Sequence, residues 1–298
     1  MLDLRRLGYF VTVAEELHFR RAAERLHLAQ PPLTRHITAL EAELGMPLFE
    51  RGTRSVRLTA EGETFLPCAR RVLQEAKTAE AMARKIALGR AGHLSIGYAS
   101  SVPLSETFVA VLKEHNTRCP DVALSLSEIA SASQVERIRE GALDFGFHRP
   151  GSAFDSAGIE VLPLGAERLV AAVPGGSEFS KRPSLSIGDL RSEPFILFPR
   201  LYGSGLNERV HSLCAGAGFA PRQGPSALQM TAIVALVGAG LGVAIVPAST
   251  TTLARPGVAY VALDDAHATI DLTLIFRKGG RSVAVHSFLD TVMAIVRR

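Results

Sequence analysis

The apolar positions of the first 58 residues predict three short helices. A first amphipathic helix has its apolar residues at helical spacing, namely Leu4, Leu7, Phe10, Val11, Ala14 and Leu17. A second is predicted near Phe19 to Leu26. The apolar residues that follow are spaced 4, 3 and 4 apart, at Leu33, Ile37, Leu40 and Leu44. At 100° per residue they fall within about 60° of each other, which is a narrow stripe facing a core.

Two consecutive prolines, Pro31 and Pro32, stand just before this third stripe. Proline inside a helix costs ~3 kcal/mol, but at a first turn its missing N–H is not needed. We therefore predict that the prolines open the third helix, with Gln30 at its start. The same wheel puts Pro31, Thr34, Arg35 and Thr38 on the side away from the core.

Two short helices, a turn and a third helix with a polar face are typical of a helix-turn-helix. The following "ERGTRSVRLT" alternates around a Gly52-Thr53 turn and predicts a basic β-ribbon, or wing. Gln can pair with adenine and Arg with guanine in a major groove, while wing arginines meet phosphates. The DNA contacts predicted are Gln30, Pro31, Pro32, Thr34, Arg35, Thr38, Arg51 and Arg54. The alternative is a structural three-helix bundle with a solvated hairpin.

Residues 60–90 are predicted to form one long linker helix. Its apolar positions keep a heptad spacing, at Phe65, Ala69, Val72, Ala76, Ala79, Ala83 and Ile86. Such a seam favours pairing with a second copy of the helix, and packing on its own domain is the alternative. Pro67 is expected to kink this helix or to limit where it begins.

Residues 91–298 alternate strand and helix patterns and predict an α/β domain. Three strands separated by two helices predict a parallel sheet, and the length suits two lobes with a ligand cleft between them. We expect lobe I at about 91–160 and 266–298, and lobe II at about 161–265. An uncharged run from Ser226 to Ala254 is long enough for a membrane span. Its glycines favour a buried helix, a turn and a buried parallel strand, so no membrane partner is expected.

The distribution of charge and the cysteine and histidine content indicate the kind of partner, the compartment and whether a metal site is expected. Residues 1–90 carry 15 Lys and Arg against 11 Asp and Glu, whereas the remainder has 18 of each. The cationic excess of the first third favours an anionic partner such as nucleic acid. Three cysteines without CxxC spacing fit a reducing compartment, hence the cytoplasm. The nine histidines show no ligand spacing, so we expect neither a metal site nor a cofactor.

A small-molecule site is predicted where strands end and helices begin, because these places favour anions such as carboxylates. Ser131 and Gln134 have capping-box spacing. From the other lobe, Arg200 could pair bidentately with a carboxylate. The candidates are Ser100, Ser101, Ser131, Pro199, Arg200, Tyr202, Gln229 and Thr231, with Arg149 a weaker one. In the alternative, Ser101 and Ser131 only cap helices and Arg200 only pairs with a neighbouring acid.

About the first 66 residues, including "AQPPLTRHITALEAELGMPLFERG", closely resemble the N-terminal domain of LysR-type transcriptional regulators. Later stretches such as "GALDFGF" and "GAGLGVAIVP" resemble that family's effector domain more loosely. The "AQPPLTR" and "LFPR" versions are most similar to the branch controlling aromatic-compound degradation. This resemblance implies an N-terminal winged helix-turn-helix over residues 1–59. It also implies a two-lobed, periplasmic-binding-protein-like (type 2) domain over 91–298.

The same resemblance implies the partners and the regulation. They are double-stranded operator DNA, a small-molecule effector, further copies of the chain and RNA polymerase. Pairing of the linker helices would give a homodimer and then a homotetramer that acts as activator or repressor. The implied effector is an aromatic acid or a ring-cleavage dicarboxylate such as a muconate.

Two other functions fit parts of the chain. An enzyme acting on a small carboxylate would use the cleft, but we find no Ser/His/Asp motif, P-loop or GxGxxG after the first strand. An architectural DNA binder without a ligand would leave the C-terminal two hundred residues superfluous. A ligand-controlled DNA-binding regulator uses both parts.

Overall fold

A computed structural model describes residues 2–51, 56–151, 154–199, 202, 204–279 and 282–297. The chain forms two compact units, residues 1–85 and residues 86–298. Each unit is described by itself.

The first unit contains the three predicted helices, which are confirmed. They are α1 (Leu4–Glu16), α2 (Phe19–Arg25) and α3 (Gln30–Leu44). Leu7, Phe10, Leu33 and Ile37 are completely buried between them. Ala29 is the N-cap residue of α3 and makes no side-chain capping bond. Pro31 and Pro32 therefore fall in the first turn of the helix, as predicted.

The wing is an antiparallel pair of short strands, β1 (Phe49–Arg51) and β2 (Val56–Leu58), with Phe49 opposite Leu58. The predicted Gly52-Thr53 turn, Arg54 and the side chain of Arg51 lie outside the described residues.

Thr59 precedes the long helix α4 (Ala60–Ala87), and its hydroxyl accepts a hydrogen bond from the backbone N–H of Gly62 in the first turn at 2.9 Å. The helix continues through Pro67, which therefore does not limit where it begins. The first part of its heptad seam, Phe65 and Ala69, packs into the core of its own unit. Further along, Val72 and Ile86 are 41% and 55% exposed. Packing on its own domain thus holds for the start of the helix, and pairing with a second copy stays a prediction for the exposed stretch.

Gly62 lies where α4 passes closest to the chain before the wing. A Cβ at this position would overlap the carbonyl oxygen of Leu48 and crowd Leu58. We expect Gly62→Ala to destabilise the first unit by about 2 kcal/mol, because the backbone has to shift. Gly8→Ala is the control, since a Cβ on Gly8 meets nothing within 4 Å. In helix α1 it is expected to stabilise by about 0.5–1 kcal/mol. Thermal unfolding of both variants measures the difference, and equal melting temperatures would contradict this account.

The second unit contains one sheet that runs through both lobes. Its strands are β3 (Ala91–Tyr98), β4 (Asp121–Glu128), β5 (Phe145–His148), β6 (Ile159–Pro174), β7 (Ser184–Leu185), β10 (Ala244–Pro247), β11 (Val258–Leu263) and β12 (Thr269–Arg277). They are ordered β4-β3-β5-β12-β6-β11-β7, and β10 also pairs with β6. As predicted, β3, β4 and β5 are parallel. The strand β12 lies antiparallel between β5 and β6.

Helices cover this sheet in each lobe. They are α5 (Glu106–Arg118), α6 (Ser131–Arg139), α7 (Ser204–Gly216), α8 (Met230–Gly238) and α9 (Val283–Val296). Lobe I has a core around Phe145, Phe147 and Phe288, and lobe II has a separate core that includes Phe195 and Ile245. A two-stranded parallel pair, β8 (Pro194–Leu197) and β9 (Arg222–Ser226), belongs to lobe II. In the described part of the chain, no helix combines the length and the apolar character needed to cross a bilayer.

The uncharged run after Ser226 is the buried helix α8, a glycine turn and the buried strand β10. The prediction that this strand is parallel was wrong, because β10 lies antiparallel to β6, with Ala244 opposite Ala172. Just before β10, Val243 forms an isolated parallel bridge with Phe195. A strand buried on both faces is a continuous apolar run, and such a run does not reveal the direction of its neighbours.

Candidate nucleic-acid interface and ligand cavity

The outer face of α3 is a polar surface at the start of the helix. Gln30, Pro31, Pro32, Arg35 and Thr38 are exposed on it. Thr34 is half-buried, and its hydroxyl donates to the carbonyl oxygen of Gln30 at 3.1 Å. The structure therefore keeps all six predicted α3 residues out of the core. Pro31, Thr34, Arg35 and Thr38 lie on the face away from the core stripe, and Gln30 and Pro32 lie at the start of the helix. Residues at the N-terminal end of a recognition helix are those that reach base edges.

Ion pairs divide the arginines of this unit into two groups. Those on α2 face acids, since Arg21 lies 2.9 Å from Glu16 and Arg25 lies 2.9 Å from Glu15. Within the described residues, no acid pairs with Arg35. The charge of Arg35 is therefore available to an external acceptor.

A cavity of about 270 Å³ lies between the two lobes of the second unit. Its walls are the chain after β3, the end of β4, the first turn of α6, the start of α7 and the residues before α8. The lining residues are Ala99, Ser100, Ser101, Glu128, Ala130, Ser131, Arg149, Phe198, Tyr202, Gly205, Leu206, Leu228 and Gln229. We call this space the effector cavity. Gly205 approaches lobe I so closely here that a Cβ would overlap the carbonyl oxygen of Arg149.

Arg149 lines the effector cavity and is only 2% exposed. Its Nε donates to the Ser101 hydroxyl at 2.9 Å, and its Nη2 donates to a Glu167 carboxylate oxygen at 2.7 Å. The other oxygen of Glu167 accepts from the backbone N–H of Ser249 in lobe II, at 2.6 Å. Burial lowers the pKa of Arg149, and the charge of Glu167 opposes that shift. A guanidinium stays protonated in proteins, so Arg149 is a buried cation paired with Glu167.

Ser101 and Ser131 do not act as the helix caps of the alternative interpretation. The capping box indicated by the spacing of Ser131 and Gln134 does not form, because Ala130 occupies the cap position and Ser131 lies inside the first turn of α6. The Ser131 hydroxyl instead accepts from the backbone N–H of Arg149 at 3.2 Å. Ser101 precedes a short 3-10 helix but makes no capping bond with its side chain. Both hydroxyls are thus turned toward Arg149.

The remaining candidates fall into three groups. Ser100, Tyr202 and Gln229 line the cavity, and the Ser100 hydroxyl accepts from the backbone N–H of Met230 at 3.0 Å. Pro199 and Thr231 are not among the lining residues. Arg200 lies outside the described residues.

The sequence analysis treated Arg149 as a weaker candidate, although it lines the cavity. It did not include Glu128, Phe198, Leu206 and Leu228, which also line the cavity. Glu128 is the last residue of β4, and the carboxyl end of a parallel strand was a position that could have been used to find it. In the described part of the chain, no group of three or more His, Cys, Asp or Glu side chains could hold a metal ion.

Comparisons with known proteins cover the whole chain. Residues 4–63 match the model described as "Bacterial regulatory helix-turn-helix protein, lysR family", and residues 87–296 match "LysR substrate binding domain". The chain is 36% identical over 289 residues to the HTH-type transcriptional regulator TfdS of Cupriavidus pinatubonensis, covering 97% of each protein. It is 35% identical over 277 residues to the uncharacterized HTH-type transcriptional regulator YnfL of Escherichia coli, covering 93% of each.

Solved structures agree with these relatives. The crystal structure of CbnR, a LysR family transcriptional regulator, has a TM-score of 0.86 at 33% identity, covering 98% of this chain and all of that one. Full-length CbnR complexed with its target DNA has a TM-score of 0.84 at 32% identity, covering 99% of this chain and all of that one.

Proposed function

Because the chain belongs to the LysR family of DNA-binding transcriptional regulators and carries that family's effector-binding domain, we propose that a small carboxylate bound beside Arg149 controls its binding to operator DNA. The observation that carries this proposal is the buried guanidinium of Arg149 in the wall of the effector cavity, with the hydroxyls of Ser101 and Ser131 beside it. The named relatives are transcriptional regulators, so the chain is a regulator and not an enzyme acting on a carboxylate.

The chemistry of the cavity favours a carboxylate for two reasons. A guanidinium has five N–H groups, and the described bonds of Arg149 use three of them, one of which is a 3.5 Å contact to the Asp271 carbonyl. The N-terminus of α6 is the second reason, because a helix N-terminus favours negative charge. Glu128 adds a restriction, since the second carboxylate of a dicarboxylate has to lie away from it.

On the DNA side, we propose that α3 enters a major groove with Arg35 and Gln30 at base edges. Arg51 and Arg54 of the wing are proposed to contact phosphates. The exposed part of α4, including Val72 and Ile86, is proposed to pair with a second copy of the chain, and the dimers to form a tetramer. RNA polymerase is the proposed partner at the promoter, in the cytoplasm. The effector class proposed is an aromatic acid or a ring-cleavage dicarboxylate.

A ligand panel tests the carboxylate. Benzoate and cis,cis-muconate, each with its uncharged amide, are titrated into the full-length protein while its thermal unfolding is followed. We expect at least one carboxylate to stabilise the protein and its amide to have no effect. Stabilisation by the amides alone would exclude an anionic effector.

Ser131→Ala tests the position of the site. We expect it to weaken carboxylate binding by about 1–2 kcal/mol, roughly five- to thirtyfold, because a hydrogen bond to a charged ligand is lost. Ser133→Ala is the matched control, since Ser133 is an exposed serine on the same helix. An undiminished carboxylate response in Ser131→Ala would remove Ser131 from the effector site.

A further inference from the structure

The two lobes contribute different chemistry to the effector cavity. Lobe I supplies most of its polar lining, namely Ser100, Ser101, Glu128, Ser131 and Arg149. Lobe II supplies most of its large apolar side chains, which are Phe198, Leu206 and Leu228. A ligand that fills this space therefore has a polar head beside lobe I and an apolar body beside lobe II.

Glu128 brings a negative charge to this cavity. It is the last residue of β4 and is exposed, so a ligand in the cavity can reach it. Within the described residues, no Lys, Arg or His forms an ion pair with Glu128. Arg149, in contrast, is already paired, since its Nη2 lies 2.7 Å from a Glu167 carboxylate oxygen. The acid in the described lining is thus available to a ligand cation.

This arrangement disfavours a ligand that carries negative charge alone. The carboxylate of such a ligand, placed at Ser131 and the start of α6, would share the cavity with the carboxylate of Glu128. Like charges in one site repel each other, and the repulsion is stronger away from bulk water. A second carboxylate on the ligand would add to it. An ammonium group would instead bring the opposite charge to Glu128, and the bound molecule would have no net charge.

The spacing and the size of the cavity favour a small molecule. Glu128 and Ser131 are three residues apart, and three residues of extended chain span at most about 10 Å. One short ligand can therefore contact both. The cavity volume of about 270 Å³ is close to the lower end of the range of roughly 300–1,000 Å³ for small-molecule sites. A free amino acid, with its carboxylate and ammonium group on one carbon atom, meets both conditions.

We propose that the effector is a zwitterionic amino acid with an apolar side chain. Its carboxylate lies at Ser131 and the start of α6, its ammonium group faces Glu128, and its side chain packs against the apolar wall of lobe II. This inference rests on the proposed carboxylate site, and it narrows the ligand from carboxylates in general to those that carry an adjacent ammonium group.

Three matched probes, titrated calorimetrically into the full-length protein, test the two charges of the ligand separately. L-Phenylalanine carries both charges, 3-phenylpropionate lacks the ammonium group, and 2-phenylethylamine lacks the carboxylate. L-Leucine and 4-methylpentanoate repeat the first comparison with an aliphatic side chain. We expect at least one amino acid to bind about fivefold or more tightly than its analogues, because each analogue loses one charged contact.

The analogues separate this inference from the proposed function. Carboxylates without the ammonium group that bind as tightly as both amino acids would overturn the inference and leave the carboxylate site intact. Failure of both amino acids to bind at millimolar concentration would overturn it as well. If 2-phenylethylamine bound as tightly as L-phenylalanine, the carboxylate would contribute nothing, which would contradict the proposed carboxylate site and the inference with it.

Glu128→Gln tests where the ammonium group lies. The substitution keeps the shape of the side chain and removes its charge, so we expect amino-acid affinity to fall about fivefold while 3-phenylpropionate binds equally or more tightly. Glu140→Gln is the matched control, because it removes the same charge from an exposed position at the end of α6, outside the cavity lining. Both variants should keep the wild-type melting temperature. An undiminished preference for the amino acid in Glu128→Gln, or an equal loss of both ligands, would refute this placement.

Discussion

Arg35→Ala is expected to abolish specific operator binding while the fold stays intact. Arg35 is exposed on the outer face of α3, with no acidic partner among the described residues. Its side chain therefore supports no part of the core. A bidentate contact from arginine to guanine is worth about 1–3 kcal/mol of discrimination. A dimer reads two half-sites, so it would lose about twice that amount.

A gel-shift titration measures this loss on the duplex that the wild-type protein selects from a random pool. Arg71→Ala is the control, because it removes the same charge from an exposed position on α4. We expect Arg35→Ala to lower the ratio of specific to non-specific affinity. A residue that contacts only phosphate would weaken binding to all sequences equally. An unchanged ratio would exclude Arg35 from base recognition.

Glu167→Ala is expected to destabilise the second unit by about 3 kcal/mol, because it leaves the buried guanidinium of Arg149 without its counter-charge. This is the lower end of the range for breaking a buried pair, since the side chain of Glu167 keeps about a fifth of its exposure. The backbone N–H of Ser249 loses its acceptor at the same time. For a unit of about 200 residues, the melting temperature should fall by roughly 6–12 °C.

The double variant Arg149→Met/Glu167→Ala separates charge from packing. Removing both partners leaves no uncompensated charge, so we expect it to be more stable than Glu167→Ala alone. If Arg149 holds the ligand, the double variant should also lose the carboxylate response, because it lacks the guanidinium. A double variant that is less stable than Glu167→Ala would show that the ion pair is not the main contribution.

The first unit could be predicted almost completely because its determinants are local. Pro31 and Pro32 fix the start of α3, and the residues from Leu33 to Leu44 repeat at the helical period. Helical periodicity and proline geometry need no information from distant parts of the chain. The same period could not show that Phe65 packs inward while Ile86 stays exposed, because that depends on how far the three-helix core extends.

The second unit was harder to predict because long-range contacts decide its site. Arg149 follows a buried strand in sequence, but its importance comes from Glu167 on β6 and Ser101 after β3. The spacing of Ser131 and Gln134 is typical of a capping box, whereas the Ser131 hydroxyl accepts a hydrogen bond from the backbone N–H of Arg149. Residue spacing was enough to identify the segments that form the site. The hydrogen bonds between these segments could be identified only from the tertiary structure.

The position of β12 (Thr269–Arg277) in the sheet has a consequence for synthesis on the ribosome. This strand lies between β5 and β6 in the sheet, although it follows β5 by more than a hundred residues in the sequence. The first unit can fold while it emerges from the ribosome. In the second unit, the edges of β5 and β6 that pair with β12 stay unpaired until residues 269–277 leave the exit tunnel. Open edges favour pairing with other chains, so this interval is the one most exposed to misassembly. A nascent chain released before residue 269 would keep the helix-turn-helix unit and lack a complete substrate-binding unit.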